Sequence, residues 1–444
     1  MLPCGAPTPI RRGSSKVVEI ANLRAVVEGC ASRVCAEVDG EPLWFESRDA
    51  PLQPAAEAFG CAALPVAVER RRDLVLDAPV DAIWNMHVKA IQKTWHQWWR
   101  IRRARIYPRA VQKQPSTRAK GMALCFGGGV DSFYSLLRSG YAFDHLVFVQ
   151  GYDVKLSDTA RAEAAERSLR EVAAAVGAKA VVIRTNLREH STFRTADWER
   201  THGGALAATG HLLRQVVGIL GISASFPYHY DIPWGSHWKI DPLWSSSQVE
   251  IAHCGAWLWR TQKLESILHE DLVRKHLRVC WQGRGSQPNC GVCEKCLRTM
   301  LVLAQAGQLE HFPIFGGSMP LVERLNRLPP LGPAYFSSYE EFLRESRDPP
   351  VTEALRALLQ RSRAQEPGLR RRTRRFVRRI QELVRRRPRE SGRAVDPDPH
   401  RIGVRVGGPA EVGRGRRESC QAVSEPAGVV IQRHRPSCGG ENGL

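Results

Sequence analysis

An apolar run, Met122-Ala123-Leu124-Cys125-Phe126, stops at Gly127-Gly128-Gly129-Val130-Asp131-Ser132, and a helix-like stretch follows from Phe133 to Leu137. A strand that ends in small residues lets backbone N–H groups close on an anionic oxygen, and the positive end of the next helix favours that charge. The pattern therefore predicts a phosphate or pyrophosphate held by Gly127, Gly128, Gly129, Val130, Asp131 and Ser132. The alternative is a glycine-rich turn with no ligand. No Lys-Ser or Lys-Thr follows the glycines and no G-x-G-x-x-G is present, so neither a Walker A loop nor a dinucleotide fingerprint is met.

A second constellation lies downstream, where Cys280, Cys290, Cys293 and Cys296 form C-x9-C-x2-C-x2-C. Two-residue gaps bring successive sulfurs to the spacing of one tetrahedral metal, and Gly291 supplies the turn. Four protein ligands leave no open coordination position, so a zinc ion here is expected to be structural. Separate buried thiols, disulfides and an iron–sulfur cluster are the alternatives.

The glycine loop resembles the S-G-G-x-D-S loop of the PP-loop ATP pyrophosphatases, with Gly127 in place of the first serine. Together with Cys290-Gly291-Val292-Cys293-Glu294-Lys295-Cys296-Leu297-Arg298, it resembles the 7-cyano-7-deazaguanine synthases (QueC-like) over roughly residues 121–307. The resemblance implies an α/β fold with an open parallel sheet, ATP and Mg2+ as ligands, and a structural Zn2+. It also implies cleavage of ATP to AMP and pyrophosphate while a substrate carboxylate or amide oxygen is adenylated for attack by ammonia or another amine. Gly128, Gly129 and Ser132 would hold the pyrophosphate, and Asp131 would order the loop or place magnesium. The heterocyclic carboxylate so implied is 7-carboxy-7-deazaguanine, converted through the amide to the nitrile.

Between the motifs, strands are expected at Met122–Phe126, Leu146–Gly151, Ala180–Thr185 and Gly221–Phe226, with helices at Ser132–Arg138, Thr159–Val176 and Gly203–Val217. In such a sheet, ligands bind beyond the carboxyl ends of the strands, where the glycine loop falls. The stretch Tyr228–Arg260 is less regular and rich in ionisable groups, among them Asp231, His237 and His253. Six of the twelve tryptophans lie from Trp234 to Trp281. It reads as a pocket that stacks a planar heterocycle, or as plain core and solvated surface. Lys239 and Arg260 are the candidates to neutralise a leaving pyrophosphate, and Asp241 to orient an amine or a magnesium ion. His202 and His211, nine residues apart on one helix, are not expected to share a metal.

Outside this domain (116–310), residues 1–115 read as a small α+β module. Its signals are a hairpin at Asp39-Gly40, a strand at Leu74-Val75-Leu76 and a helix from Val80 to Trp99. Residues 311–360 read as a helical extension. From Arg361 to Leu444 there are 21 Arg against 9 Asp and Glu, which accounts for 12 of the chain's 20 net positive charges. Phe376, Ile380, Leu383 and Val384 recur at helical spacing, and the remainder is expected to be disordered. Such a tail offers nucleic acid, or another acidic partner, a basic surface.

No apolar run reaches membrane-span length, and the first sixteen residues lack an apolar centre, so a cytoplasmic protein is expected. Cys4, Cys30, Cys35, Cys61, Cys125, Cys254, Cys420 and Cys438 show no close pairing, consistent with reduced thiols. The oligomeric state is left open, a homodimer included. Two other functions fit the motifs: tRNA modification, with Cys125 or Cys254 as a sulfur carrier, and a non-catalytic ATP-binding module.

Overall fold

The computed structural model describes residues 16–115, 117–280, 282, 283 and 288–365. The first strands are β1 (Val17–Glu28), β2 (Ala31–Val38) and β3 (Glu41–Ser47), an antiparallel meander. Asp39 and Gly40 both have positive φ, 53° and 84°, which is what a two-residue turn matched to strand twist demands. Helix α1 (Ala56–Glu69) leads to β4 (Asp73–Asp81), which runs parallel to β1. Helix α2 (Ala82–Trp99) then leads to β5 (Ile106–Gln112), parallel to β4. The Asp81 carboxylate caps α2 by accepting from Ile83 N and Trp84 N at 2.9 and 3.0 Å.

Alternating elements continue with β6 (Gly121–Cys125), α3 (Val130–Arg138), β7 (His145–Gln150), α4 (Thr159–Ala175), β8 (Lys179–Thr185), α5 (Trp198–Leu212), β9 (Val217–Ser223) and β10 (Glu250–Cys254). Helices α6 (Arg260–Ile267), α7 (Asp271–His276), α8 (Glu294–Gln305), α9 (Leu321–Arg327), α10 (Phe336–Glu345) and α11 (Pro349–Ala364) complete the described chain.

The ten strands form one open sheet in the order β10-β9-β6-β7-β8-β3-β2-β1-β4-β5. The protein is thus α/β with a mixed, mostly parallel open sheet: the loop domain's strands β6 to β10 are parallel, and the N-terminal module, read as separate, adds its strands to the same sheet. The antiparallel neighbours are β8–β3, β3–β2 and β2–β1, because the meander joins the parallel half edge to edge. Strand β6 lies between β7 and β9, so the chain leaves it toward β7 and β8 on one side and returns to β9 and β10 on the other. The loop after β6 therefore opens at a topological switch point, the crevice where open α/β sheets bind ligands.

Three expected boundaries move. The Asp197 carboxylate accepts from Glu199 N at 3.0 Å and starts α5 five residues before Gly203. Val217, read as the end of that helix, opens β9, so the strand expected at Gly221–Phe226 begins four residues earlier and ends at Ser223. Strand β10 arises inside the stretch read as irregular. Helix α11 continues to Ala364, and the amphipathic segment at Phe376–Val384, like all of 366–444, lies outside the described residues. Among the described residues no helix is long and apolar enough to cross a membrane.

The strands alternate between two cores, as a period of two requires. On β6, Ala123 joins the face covered by α1, α2 and α5, which holds Phe45, Phe59, Trp84 and Trp95, while Leu124 joins the face of α3, α4, α8 and α11. Helices α1 and α5 approach closely at Gly204, where an added Cβ would fall 2.2 Å from the Cys61 carbonyl oxygen. Residues 16–115 therefore pack into the same core as the glycine loop's strand. Gly204→Val is expected to lower unfolding free energy by about 1–3 kcal/mol. Chemical denaturation checks this, and an unchanged midpoint would contradict the packing.

Candidate functional site

Three glycines end β6 and begin α3. Gly128 has φ +71°, a left-handed conformation that favours glycine, and Gly129 is the N-cap of α3. Two of the loop's carbonyls are engaged by one residue: Arg278 donates its backbone N–H to Gly128 O at 2.7 Å. The Arg278 guanidinium reaches Gly127 O at 2.8 and 3.2 Å. Ser132 Oγ donates back to Gly129 O at 3.0 Å. The first-turn N–H groups of α3 have no intrahelical acceptors and carry the positive end of the helix dipole. With the carbonyls of Gly127, Gly128 and Gly129 hydrogen-bonded and the first-turn N–H groups of α3 left without intrahelical acceptors, the loop is suited to an anion.

Cations gather around it. Asp131 forms ion pairs with Arg260 at 3.0 Å and Lys263 at 3.3 Å, and Lys263 also donates to Ala224 O, just beyond β9, at 2.6 Å. Lys263 is fully buried, and that burial lowers its pKa against the pull of Asp131. Burial likewise brings Lys295 down to about 8, with the Arg260 charge adding to the shift and Asp153 and Asp131 opposing it. Arg278 is lowered to about 10 by burial first and then by Arg161. Among the described residues Arg260, Lys263, Arg278 and Lys295 thus have Asp131, Asp153 and Glu294 as their carboxylate neighbours, a surplus of positive charge that an incoming polyphosphate would relieve.

Of the residues singled out from sequence, Arg260 joins the loop and two others do not. Lys239 pairs with Asp231 at 2.5 Å and lies over the Trp238 ring, with no described contact to the loop. Asp241 is fully buried. Its Oδ2 accepts from Ser236 Oγ at 2.6 Å and His253 Nδ1 at 2.7 Å, and its Oδ1 accepts from His237 N at 3.1 Å. On α5, His202 contacts Trp198 O and His211 contacts Trp244 O, each at 2.9 Å, and they share no site. Burial pushes the Cys125 and Cys254 thiols each up to about 12, which leaves little thiolate for sulfur transfer.

Sequence reading missed Lys263, Arg278 and Lys295. Lys263 had a signal, since it stands three residues after Arg260 on one helix face. Lys295 is enclosed in the cysteine motif, and Arg278 lies two residues before it. Next to Arg260, exposed aromatic side chains form a ledge: Tyr228 meets Trp257 at 4.9 Å between ring centroids, and Tyr230 meets Trp259 at 4.8 Å.

The sulfurs of Cys280, Cys290, Cys293 and Cys296 all lie within 4.8 Å of one another, and two pairs are 4.0 Å apart. A disulfide needs about 2.05 Å, so these are four separate thiols. A tetrahedron with Zn–S bonds of about 2.3 Å places sulfurs about 3.8 Å apart, so the donor set fits zinc. Hydrogen bonding, chiefly from Cys296, brings the Cys293 thiol down to about 5, the ionised form a metal takes. Arg324 braces the turn by donating to the carbonyls of Gly291, Gly316, Gly317 and Met319. Asn289 ties the cluster to the loop. Its Oδ1 accepts from Val279 N and Cys280 N at 2.8 and 3.1 Å and its Nδ2 donates to Leu277 O at 2.8 Å, which fixes the segment carrying Arg278.

Comparison with protein-family models, with curated proteins and with solved structures finds no match. The site is therefore read from its own geometry.

Cys293→Ser is expected to lower bound zinc and thermal stability together. Metal analysis and melting check this, and a variant that melts normally without metal would contradict a structural role. Burial holds His237 at about 4, well below the ordinary 6.5, against the pull of Asp231. Between those values the unfolded chain binds a proton that the folded chain refuses. Stability is therefore expected to fall by up to about 3 kcal/mol as pH drops from 6.5 toward 4. Denaturation across that range should show a shallower fall in His237→Gln, and an identical profile would remove this residue as the cause.

Proposed function

We propose that the chain is an ATP-dependent carbon–nitrogen ligase of the PP-loop type, which forms AMP and pyrophosphate while adenylating a substrate carboxylate or amide oxygen. The observation that carries this reading is the convergence of Arg260, Lys263 and Arg278 on a glycine loop at the switch point of the sheet. A carboxylate is a poor acyl donor because its oxygen leaves badly. In the first step that oxygen attacks the α-phosphorus of ATP, the bond to the bridging oxygen breaks, and pyrophosphate departs with the electron pair. The N–H groups of Gly128, Gly129, Val130, Asp131 and Ser132 receive the departing oxygens. Arg260 and Lys263 neutralise the charge that builds on them, an arrangement preformed rather than assembled during reaction.

Magnesium, an oxygen-seeking cation, would be held through Asp131 and the phosphates, and it supplies further neutralisation of the phosphoryl oxygens when bound. In the second step ammonia or another amine attacks the activated carbon and releases AMP. The ledge of Tyr228, Tyr230, Trp257 and Trp259 supports a planar heterocyclic acid as substrate, with 7-carboxy-7-deazaguanine the first to try.

Incubation with ATP, magnesium, ammonium and 7-carboxy-7-deazaguanine is expected to yield AMP and pyrophosphate only when the heterocycle is present. Asp131→Asn is expected to cut that rate by about 100-fold or more while the melting temperature holds. AMP release equal with and without the heterocycle, or a wild-type rate in Asp131→Asn, would contradict the reading.

A further inference from the structure

Beyond the loop, the crevice contains a second built unit that the adenylation step does not use. His253 sits at the carboxyl end of β10, one strand from β9 and in register with Ile222. The next residue, Cys254, accepts from Ala224 N at 2.8 Å, and Ala224 O in turn takes Lys263, the partner of Asp131. This places His253 a few bonded contacts from the phosphate loop. Its Nδ1–H points at the Asp241 carboxylate, 2.7 Å away, so the neutral ring presents Nε2 as its acceptor. The described contacts give that nitrogen no hydrogen-bond partner.

Asp241 is fully buried, yet no Lys or Arg pairs with it among the described ion pairs. It is held only by Ser236 Oγ, His237 N and His253. A buried carboxylate kept without a permanent cation is placed to stabilise an imidazolium that forms transiently. The surrounding groups fit this role. His237 and Lys239 are drawn to Asp231, and the ring of Tyr228 from the aromatic ledge lies 6.5 Å from that of His253.

We infer that His253 is the general base of the amine-transfer step, with Asp241 its positioning residue. This role rests on the proposed function. As the amine nitrogen forms its bond to the acyl carbon, the bond from that carbon to the phosphate oxygen breaks and AMP leaves with the electron pair. The proton shed by nitrogen passes to His253 Nε2, and Asp241 balances the resulting charge.

The test separates the two half-reactions in the full chain, with ATP, magnesium and 7-carboxy-7-deazaguanine as the probe. Exchange of labelled pyrophosphate into ATP reports adenylation, and heterocyclic amide reports transfer. His253→Asn retains a donor toward Asp241 but removes Nε2, with His253→Gln as the second variant if Asn does not fold. Exchange within about threefold of wild type and amide from ammonium down by about 100-fold or more are expected. Wild-type amide formation from ammonium would overturn the role. So would parallel loss of exchange and transfer in a folded variant, which would make His253 a scaffold for the loop. Absence of exchange in the wild type is a separate outcome, which overturns the ligase reading and this role with it.

Discussion

The crevice depends on one residue bound to two adjacent carbonyls. Arg278 holds Gly127 O and Gly128 O in hydrogen bonds, so those oxygens are already engaged, while the first N–H groups of α3 have no intrahelical acceptors. A loop of three glycines has wide conformational freedom, and ordering it costs entropy of about 1–2 kcal/mol per residue. Several hydrogen bonds from one half-buried guanidinium and its own backbone offset that cost. They also add positive charge where an anion would otherwise meet carbonyl oxygens.

The cysteine cluster gains meaning from this contact. It lies away from the loop, but Asn289 grips the backbone on both sides of Arg278 while Cys280 anchors the segment to the other thiols. Lys295 stands on α8, the helix that Cys293 caps. A metal held by these sulfurs would therefore stiffen the back wall of the crevice without touching the reacting atoms. Lys263 makes a further link: one ammonium joins the loop after β6, through Asp131, to the end of β9, through Ala224.

Much of this was legible in the sequence where local chemistry decides structure. The apolar run before Gly127 read as a strand, Asp39-Gly40 as a hairpin turn, and the spacing of the four cysteines as one cluster, because each is set by neighbours in the chain. The joining of β3 to β8 was not legible, since antiparallel pairing between Phe45 and Thr185 depends on contacts 140 residues apart. The same limit applied to the site. Arg260 carried its signal beside Trp259, but Asp241 looked like a substrate-facing carboxylate until Ser236, His237 and His253 were seen around it. Nothing local marks Arg278 as the residue that engages two of the loop's carbonyls.

The central claim is that the face presented by Gly128 to Ser132 holds a polyphosphate. Its most direct test is a crystal structure of the protein with magnesium and an ATP analogue whose α–β bridge cannot be cleaved. The account predicts the β- and γ-phosphates within hydrogen-bond reach of those N–H groups, with Arg260 and Lys263 turned toward them. An analogue bound elsewhere, with the loop's N–H groups left facing solvent, would contradict it.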